Sequence, residues 1–267
     1  MKGLTVIMNQ EERQRKILEY IESNGEASVK ELSDAFEVSP VTIRADLQKL
    51  HDQEEIKKVH GGAYVNERRR NVEIPSRTKF MTNIKEKKII GCLASSLIKS
   101  NDIVIFDSGS TTLEIAKMMP QNQVTNVTAF CNDLGVALEL AHKPNVNLTV
   151  VGGDLMQNVY SLVGFETVDF FKKIKADKVF LGSDAVDFEF GLSNRTRFEI
   201  AIKLAMIEAS DEVILVVDHS KLHKIVSSQI CDLSRIDTLV IDYITEEEKA
   251  KMEEFGIKVI SEEEPSL

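Results

Sequence analysis

Residues 107–112 run Asp-Ser-Gly-Ser-Thr-Thr and separate an apolar stretch, Ile103, Val104, Ile105 and Phe106, from a helical one. Gly109 permits close backbone approach, and Ser108, Ser110, Thr111 and Thr112 supply hydroxyl donors. A helix starting there offers unpaired N–H groups and the positive end of its dipole. With Asp107, these residues describe an anion site, most simply for a phosphate. A capped strand-to-helix turn would use the same residues, and the GxxxxGK[ST] spacing of a Walker loop is absent. Four more polar runs follow apolar ones: Asn132; Gly152, Gly153 and Asp154, with Ser161 and Gly164 beyond; residues 182–187, with Gly182, Asp184 and Asp187; and Asp218, His219, Ser220 and Lys221. Each alone is an ordinary loop. Five at the strand ends of one sheet converge on a pocket, in which Lys221 is a candidate counter-charge for an anionic ligand. His51, His60, His142, His219 and His223 show no ligand spacing with a carboxylate, so neither a metal nor a cofactor is expected.

A second chemistry lies between residues 28 and 50, SVKELSDAFEVSPVTIRADLQKL. Ser28 and Glu31 form a capping box, and Ser39 caps a second helix with Pro40 in its first turn. Ile43, Leu47 and Leu50 recur at i, i+4 and i+7 and face inward, leaving Thr42, Arg44, Ala45, Gln48 and Lys49 outward. Two short helices joined by a tight turn around Val38 make a helix-turn-helix whose second helix suits a DNA major groove. Thr42 and Arg44, with Val41 and Gln48, are placed to meet base edges; Ser39, Lys49, Lys57 and His60 are placed to meet phosphates. Lys57 and His60 belong to strand-like pieces over residues 56–59 and 63–65 around Gly61 and Gly62, the wing of a winged helix.

The elements that position these groups divide the chain. A helix over residues 10–23 turns Ile17, Leu18 and Ile21 inward and ends at Asn24 and Gly25. Residues 1–66 thus form a winged helix-turn-helix domain. Residues 67–76, with Arg68, Arg69, Arg70 and Pro75, form a linker whose arginines are either solvated or add DNA backbone contacts. Residues 77–267 form a larger α/β domain. Its expected helices cover residues 84–98, a stretch following Thr112 through residue 119, and residues 133–141, 198–209 and 245–255. Its expected strands cover residues 103–106, 124–130, 146–151, 178–181, 213–217 and 238–241. Such alternation argues for a parallel sheet covered on both faces, with ligands at the carboxyl ends of its strands.

Net charge is −10, an unusual balance for a DNA binder, but the basic charge is local. Residues 1–70 hold twelve Lys/Arg against thirteen Asp/Glu, whereas residues 40–70 hold seven against five. Phosphate contacts need a local field rather than a basic chain. No apolar run approaches the ~18 residues of a membrane span, and the N-terminal residues lack a signal-peptide pattern. Cys92, Cys131 and Cys231 are scattered with no CxxC pair, which points to a reducing cytoplasm and away from structural zinc.

Residues 13–63 resemble the DNA-binding domain of DeoR-family bacterial transcriptional regulators, in which the second helix usually reads T-I-R-R-D-L and the wing ends H-G-G-A. Here Thr42-Ile43-Arg44-Ala45-Asp46-Leu47 and His60-Gly61-Gly62-Ala63 stand in those places. Ala45 replaces an arginine, and the glycine usual before the wing is missing from residues 52–55. The second region is similar to the same family's effector domain, itself similar to ribose-5-phosphate isomerase. The matching residues are Arg77, Lys87, residues 107–112, Asn132, Gly152, Gly153, Ser161, Gly164, Gly182, Glu199, Asp218, Ser220 and Lys221. The resemblance implies that Gly109, Ser110 and Thr111 hold the phosphate of a phosphorylated sugar or related metabolite, with Asp184 and Glu199 among the candidate effector-binding residues. Cys131 stands where the family usually has threonine before the asparagine, and residues 184–187 replace a family glycine.

Three functions are compatible with these residues. The leading one is a cytoplasmic repressor of a sugar or carbohydrate operon, binding double-stranded operator DNA as a dimer or tetramer and released by a phosphorylated sugar. Oligomerisation is expected because one short helix reads too few base pairs. The second is a sugar-phosphate isomerase-like enzyme with a DNA-binding head, using Asp184, Asp187 and Glu199 for proton transfer. Against it, residues 191–199 lack the lysine and glycine run found ahead of the glutamate in the isomerases. The third is a constitutive DNA-binding scaffold without a ligand.

Overall fold

Local capping fixes the first helices. The Ser28 hydroxyl accepts from Glu31 N at 3.1 Å while the Glu31 carboxylate accepts from Ser28 N at 2.7 Å, a reciprocal box that satisfies two donors left open at a helix start. Ser39 accepts from Thr42 N at 3.1 Å, with Pro40 in the first turn. The computed structural model describes residues 9–24, 26–53, 55–65, 76–120, 123–156 and 159–262. The chain divides into two compact units between residues 74 and 75.

In the first unit the order is α1 (Gln10–Asn24), β1 (Glu26–Ser28), α2 (Val29–Phe36), α3 (Pro40–Asp52), β2 (Ile56–Val59) and β3 (Gly62–Val65). Ile17, Ile21, Leu32, Ile43, Leu47, Leu50 and Ile56 bury themselves in one core. The hairpin of β2 and β3 is joined by β1, a strand that the sequence pattern does not announce, in the antiparallel order β1-β3-β2. Gly62 makes this possible, since a Cβ there would stand 2.4 Å from the Ala27 carbonyl oxygen. Gly61 turns the hairpin at φ +94°, a conformation glycine adopts freely. The chain leaves α3 at Gln53 with φ −83°, so this step needs no glycine; residue 54 lies outside the described residues.

In the second unit α4 (Ser76–Met81) and α5 (Ile84–Ser95) precede β4 (Ile103–Phe106), α6 (Ser110–Met118), β5 (Val127–Cys131), α7 (Leu134–Ala141) and β6 (Val146–Val150). A hairpin, β7 (Asp154–Met156) and β8 (Ser161–Val163), leads to α8 (Phe165–Phe171) and β9 (Ala176–Leu181). Then come β10 (Ala185–Asp187), β11 (Gly191–Asn194), α9 (Ile200–Ala209), β12 (Ser210–Val216), β13 (Ser228–Cys231), β14 (Thr238–Val240), α10 (Glu246–Glu254) and β15 (Lys258–Ile260). Seven strands form one parallel sheet in the order β15-β14-β12-β9-β4-β5-β6. Alternate residues of its strands enter opposite cores, as a sheet buried on both faces requires. Val179 and Leu181 pack toward α8 and α9, whereas Phe180 packs toward α5, α6 and α7.

The parallel sheet is as the alternation predicts, with shifted boundaries. The strand expected over residues 124–130 begins at Val127, because Asn126 takes φ 55° and breaks the extended run. The helix expected to reach residue 98 stops at Ser95, where Leu97 N and Ile98 N turn back to the carbonyls of Ala94 and Ser95. Helix α4, the β7-β8 hairpin, the antiparallel set β10-β11-β13 and β15 are additions. Most of the expected linker, including Arg68, Arg69, Arg70 and Pro75, lies outside the described residues, as does the Arg77 side chain; Ser76 already belongs to α4.

Asp46 is fully buried on α3 and held from α1 by Arg13 Nε at 2.6 Å and Gln14 Nε2 at 2.8 Å. Removing one partner of a buried ion pair strands the other charge, at a cost of about 3–5 kcal/mol, whereas replacing both is often neutral. Arg13→Ala is therefore expected to lower the stability of this unit by about that amount in urea melts, and Arg13→Met with Asp46→Leu to recover most of it. A loss below about 1 kcal/mol for Arg13→Ala would show that the pair does not hold α1 on α3.

Candidate functional site

Helix α3 turns a polar edge outward at its N-terminal end. The Ser39 hydroxyl lies 2.9 Å from Thr42 Oγ1 as well as accepting from Thr42 N, so the cap also orients the threonine. Val41 is 72% exposed, an apolar surface of the kind that meets a thymine methyl. Arg44 and Lys49 are exposed and make no hydrogen bond or ion pair among the described residues. Gln48 differs: its amide donates to Asp52 Oδ1 at 2.7 Å and its oxygen accepts from Lys58 Nζ at 2.8 Å. It ties α3 to the wing strand instead of standing free. Lys57 sits 6.0 Å from the Tyr64 ring centroid, and His60 is exposed at the wing turn.

In the second unit, connections run from β4 to β5 and β6 on one side and return to β9 on the other, so the strand order reverses between β4 and β9. Open α/β sheets bind ligands at the carboxyl end of such a switch point. All five polar runs lie at that end of the parallel sheet, after β4, β5, β6, β9 and β12. Asp107 bridges the switch point: its carboxylate accepts from Gly182 N at 2.9 Å and from the buried Lys203 amine on α9. Asp107 Oδ2 is therefore committed to the protein. Thr112 is committed too, its hydroxyl donating to the carbonyls of Asp107 and Gly109 at 2.8 Å each.

What remains open is the start of α6. Its N-cap Gly109 offers no side-chain acceptor, whereas the next helix along, α7, is capped by Asp133 accepting from Gly135 N at 2.7 Å and Val136 N at 2.9 Å. Helices α5, α8 and α9 also lack side-chain caps, but among them only α6 rises directly from a strand at the switch point. The first-turn N–H groups of α6, with the hydroxyls of Ser110 and Thr111, face a place suited to an oxyanion. Ser108 instead donates to Asp133 at 2.7 Å, locking the β4 and β5 loops together.

Cations gather around Asp184, in the loop after β9 on the other side of the switch point. Asp184 accepts from Lys79 Nζ at 3.0 Å and Arg195 N at 3.1 Å, with Arg195 Nη1 at 3.5 Å. Burial alone would raise the Asp184 carboxyl, but the charges of Lys79, Arg195 and Lys221 hold it well below the usual carboxylate range. Lys221 is half-buried and makes no ion pair within direct contact among the described residues. Lys87 is buried and donates to the carbonyls of Lys79 at 2.5 Å and Thr82 at 2.6 Å. Burial, helped by the charge of Lys221, pushes its amine down to about 8. Asn83 donates to Asp218 Oδ1 at 2.9 Å and Ser220 Oγ at 3.1 Å.

The other predicted residues are structural in this arrangement. Asn132 donates to the Leu162 carbonyl at 2.9 Å, while its own oxygen is buried without a hydrogen-bond partner among the described residues. Gly153 is required by packing, since a Cβ would stand 2.4 Å from Thr167 Oγ1, and the Gly152 carbonyl accepts from that hydroxyl at 2.6 Å. Glu199 accepts from Asn194 Nδ2 at 2.9 Å, and Asn194 Oδ1 in turn accepts from Asp184 N at 3.1 Å. Asp187 is taken up by a turn, accepting from Glu189 N at 2.9 Å and Phe190 N at 2.8 Å. Lys79, Asn83, Asp133, Arg195 and Lys203 escape the motif reading. Two of them leave a signal: Asp133 by its capping position before residue 134, and Lys203 as the lone cation in the apolar run IAIKLAMIEA.

Comparison with known proteins assigns both units. The model of the DeoR-like helix-turn-helix domain matches residues 13–69, and that of the DeoR C terminal sensor domain matches residues 82–243. The uncharacterized HTH-type transcriptional regulator YulB of Bacillus subtilis is 34% identical over 86% of this chain and 88% of its own. The HTH-type transcriptional regulator GlpR of Haloferax volcanii is 32% identical over 93% of this chain and 96% of its own. The glycerol-3-phosphate regulon repressor of Escherichia coli is 31% identical over 88% and 92%. Among solved structures, a D-ribose-5-phosphate isomerase in complex with phospho-erythronic acid superposes with a TM-score of 0.38 at 18% identity, over 52% of this chain and 54% of its own.

The depressed Lys87 amine has a measurable consequence. Between about 8 and the ordinary 10.5 the unfolded chain keeps a proton that the folded chain has lost, so this lysine makes stability rise with pH across that window. The stability difference between wild type and Lys87→Met, from urea melts at stepped pH, is expected to shift in favour of wild type from pH about 8 upward. A difference that stays flat would mean that the amine titrates normally.

Proposed function

This chain belongs to the DeoR family of transcriptional regulators, and from that premise we propose that it is an operator-binding repressor released by a phosphorylated sugar or related metabolite. It is a DNA-binding regulator and not an enzyme. The regulated genes, on this proposal, serve sugar or carbohydrate metabolism, and the protein works in the cytoplasm. The observation that carries the effector half is the uncapped start of α6 at the switch point, with Lys79, Arg195 and Lys221 gathered about Asp184 in the loop after the neighbouring strand β9. A phosphate satisfies N–H groups that nothing else there caps and brings negative charge to a cluster of cations. Gly109, Ser110 and Thr111 supply the cradle, and Lys221 a counter-charge that makes no ion pair among the described residues. Gly152, Gly153, Asn132, Asp184 and Glu199 shape the surrounding loops.

The DNA half rests on Val41, Thr42 and Arg44 as base readers and on Ser39, Lys49, Lys57 and His60 as phosphate contacts. Gln48 reads bases only if Lys58 and Asp52 release it, so we place it as a brace between helix and wing. A dimer or tetramer places two α3 helices one DNA turn or more apart, which gives the site length that one head lacks. Effector binding shifts the heads only if the metabolite prefers the state that does not bind the operator.

Gel shifts with DNA upstream of its own gene and neighbouring operons are expected to show a complex that Arg44→Ala weakens by about 1–3 kcal/mol. One member of a sugar-phosphate panel is expected to dissociate it. Strengthening of the complex by that member would reverse the sign of regulation. Indifference to every member, with binding intact, would leave a DNA binder without this effector.

A further inference from the structure

Helix α4 has only six residues, too few to persist without tertiary support. Its fastenings are largely polar and run to the strand-end loops. Lys79 reaches Asp184 after β9 at 3.0 Å. Phe80 stacks on Tyr160 with centroids 6.2 Å apart and lies 3.9 Å from the position of a Cβ at Gly135, the residue after the α7 start. Directly after the helix, Asn83 is tied to Asp218 and Ser220 beyond β12. Lys87 closes the carbonyl end of the helix through Lys79 O and Thr82 O. The helix therefore lies across the switch-point crevice, from the β9 loop on one side to the β5 loop on the other, and packs against α6. It is also the first described element after the residues that join the second unit to the DNA-binding unit.

We propose that Lys79 is an effector-binding residue and acts as a latch: the effector's anionic group draws Lys79 away from Asp184 and so repositions α4, the helix that leads out of the DNA-binding head. The proposal rests on the anion site assigned above to the α6 start. Asp184 can give up Lys79 because Arg195 stays in contact with the same carboxylate through Nη1 and its backbone N–H. Removing one of several cations around a buried carboxylate leaves it paired, whereas removing the only one would not. Lys79 is the partner on the less anchored side of this pairing, on a six-residue helix whose Met81 is 63% exposed. The exchange needs no new charge in the crevice other than the ligand's own. It also supplies what a switch requires, two discrete partners for one side chain.

Competition for Lys79 makes an unusual prediction that a purely structural ion pair does not. Inorganic phosphate is titrated into the full-length wild type, Asp184→Asn, Lys79→Gln and the double variant, with binding read by calorimetry. Asp184→Asn is expected to bind phosphate about tenfold more tightly, because Lys79 is released to it, and Lys79→Gln about tenfold more weakly. The double variant is expected to follow Lys79→Gln. An environment-sensitive label at Met81→Cys, in a Cys92→Ser background, is expected to shift on adding phosphate with Lys79 present and not with Lys79→Gln. Weaker or unchanged phosphate binding in folded Asp184→Asn overturns the latch. Should that variant fail to fold, unchanged affinity in Lys79→Gln, or a label indifferent to phosphate in its presence, overturns it equally. A wild type that binds no phosphate overturns the anion site along with the latch, whereas phosphate binding that is lost in Ser110→Pro but unaltered in Lys79→Gln overturns the latch alone.

Discussion

A carboxylate and an ammonium buried together at the end of β4 hold the second unit's architecture in register. Asp107 is placed where the strand order reverses, and its Oδ2 takes both the Gly182 N–H beyond β9 and the Lys203 amine from α9. Three elements that are far apart in the chain thus meet at one charge pair. Burying two ions costs several kcal/mol each, which their attraction repays only when the geometry is good and the remaining lone pairs are bonded. Gly182 supplies both a donor to Asp107 and an acceptor for Lys203 at 3.1 Å. A wholly apolar replacement could pack as well, but it would not fix where the β4 and β9 loops stand relative to each other. The open start of α6 depends on that placement, since the next residues after Asp107 form its first turn.

The first unit uses the same device for a different end. Asp46 faces the interior of α3 and is gripped by Arg13 and Gln14 of α1, while Val41, Thr42 and Arg44 face out. Helix α3 is thereby fixed in rotation about its own axis. A rotation of one residue, 100° in an α-helix, would carry Arg44 off the outer edge and expose Asp46. Gln48 adds a restraint at the far end through Lys58 of the wing. Both units therefore keep their outward chemistry in place by polar contacts on the hidden side of the element that bears it.

How much of this could be read from residues alone follows from the range of the forces involved. Capping boxes, the Pro40 start and the Gly61-Gly62 turn act within four residues, so Ser28, Ser39 and the wing were legible. The parallel strands were legible because alternating cores demand continuous apolar runs, such as Ile103 to Phe106. What was not legible depends on contacts across the fold. Lys79 pairs with Asp184 and Lys203 with Asp107, separations of 105 and 96 residues. No local pattern specifies those partners. Strand β1 was missed because three residues, Glu26 to Ser28, are too few to show a period, and only Gly62 opposite permits them to pair. Among the motif residues, Asp107, Thr112 and Gly153 lie at the strand ends of the sheet, but their side chains or contours are taken up by contacts inside the protein. A loop motif marks where a pocket lies more reliably than it marks which atoms face the ligand.

The distribution of charge around the crevice bears on how tightly any anion can be held there. A site lined by unpaired cations would bind phosphates strongly and indiscriminately, and would be occupied at all times by the anions of the cell. Here Lys203 is committed to Asp107, Lys79 and Arg195 to Asp184, and Lys87 to backbone carbonyls. An incoming phosphate gains the helix start and Lys221 freely but must compete for the other cations, so that part of its affinity is the difference between two pairings of similar strength. That difference is small and depends on the remainder of the ligand. Specificity can then reside in the contacts made by the rest of the ligand, while an anionic group supplies the attraction common to all candidates. It also makes binding conditional on the position of the loops that own the competing carboxylates. A ligand whose affinity depends on loop position must, by linkage, act back on that position, and a sensor needs no more than that.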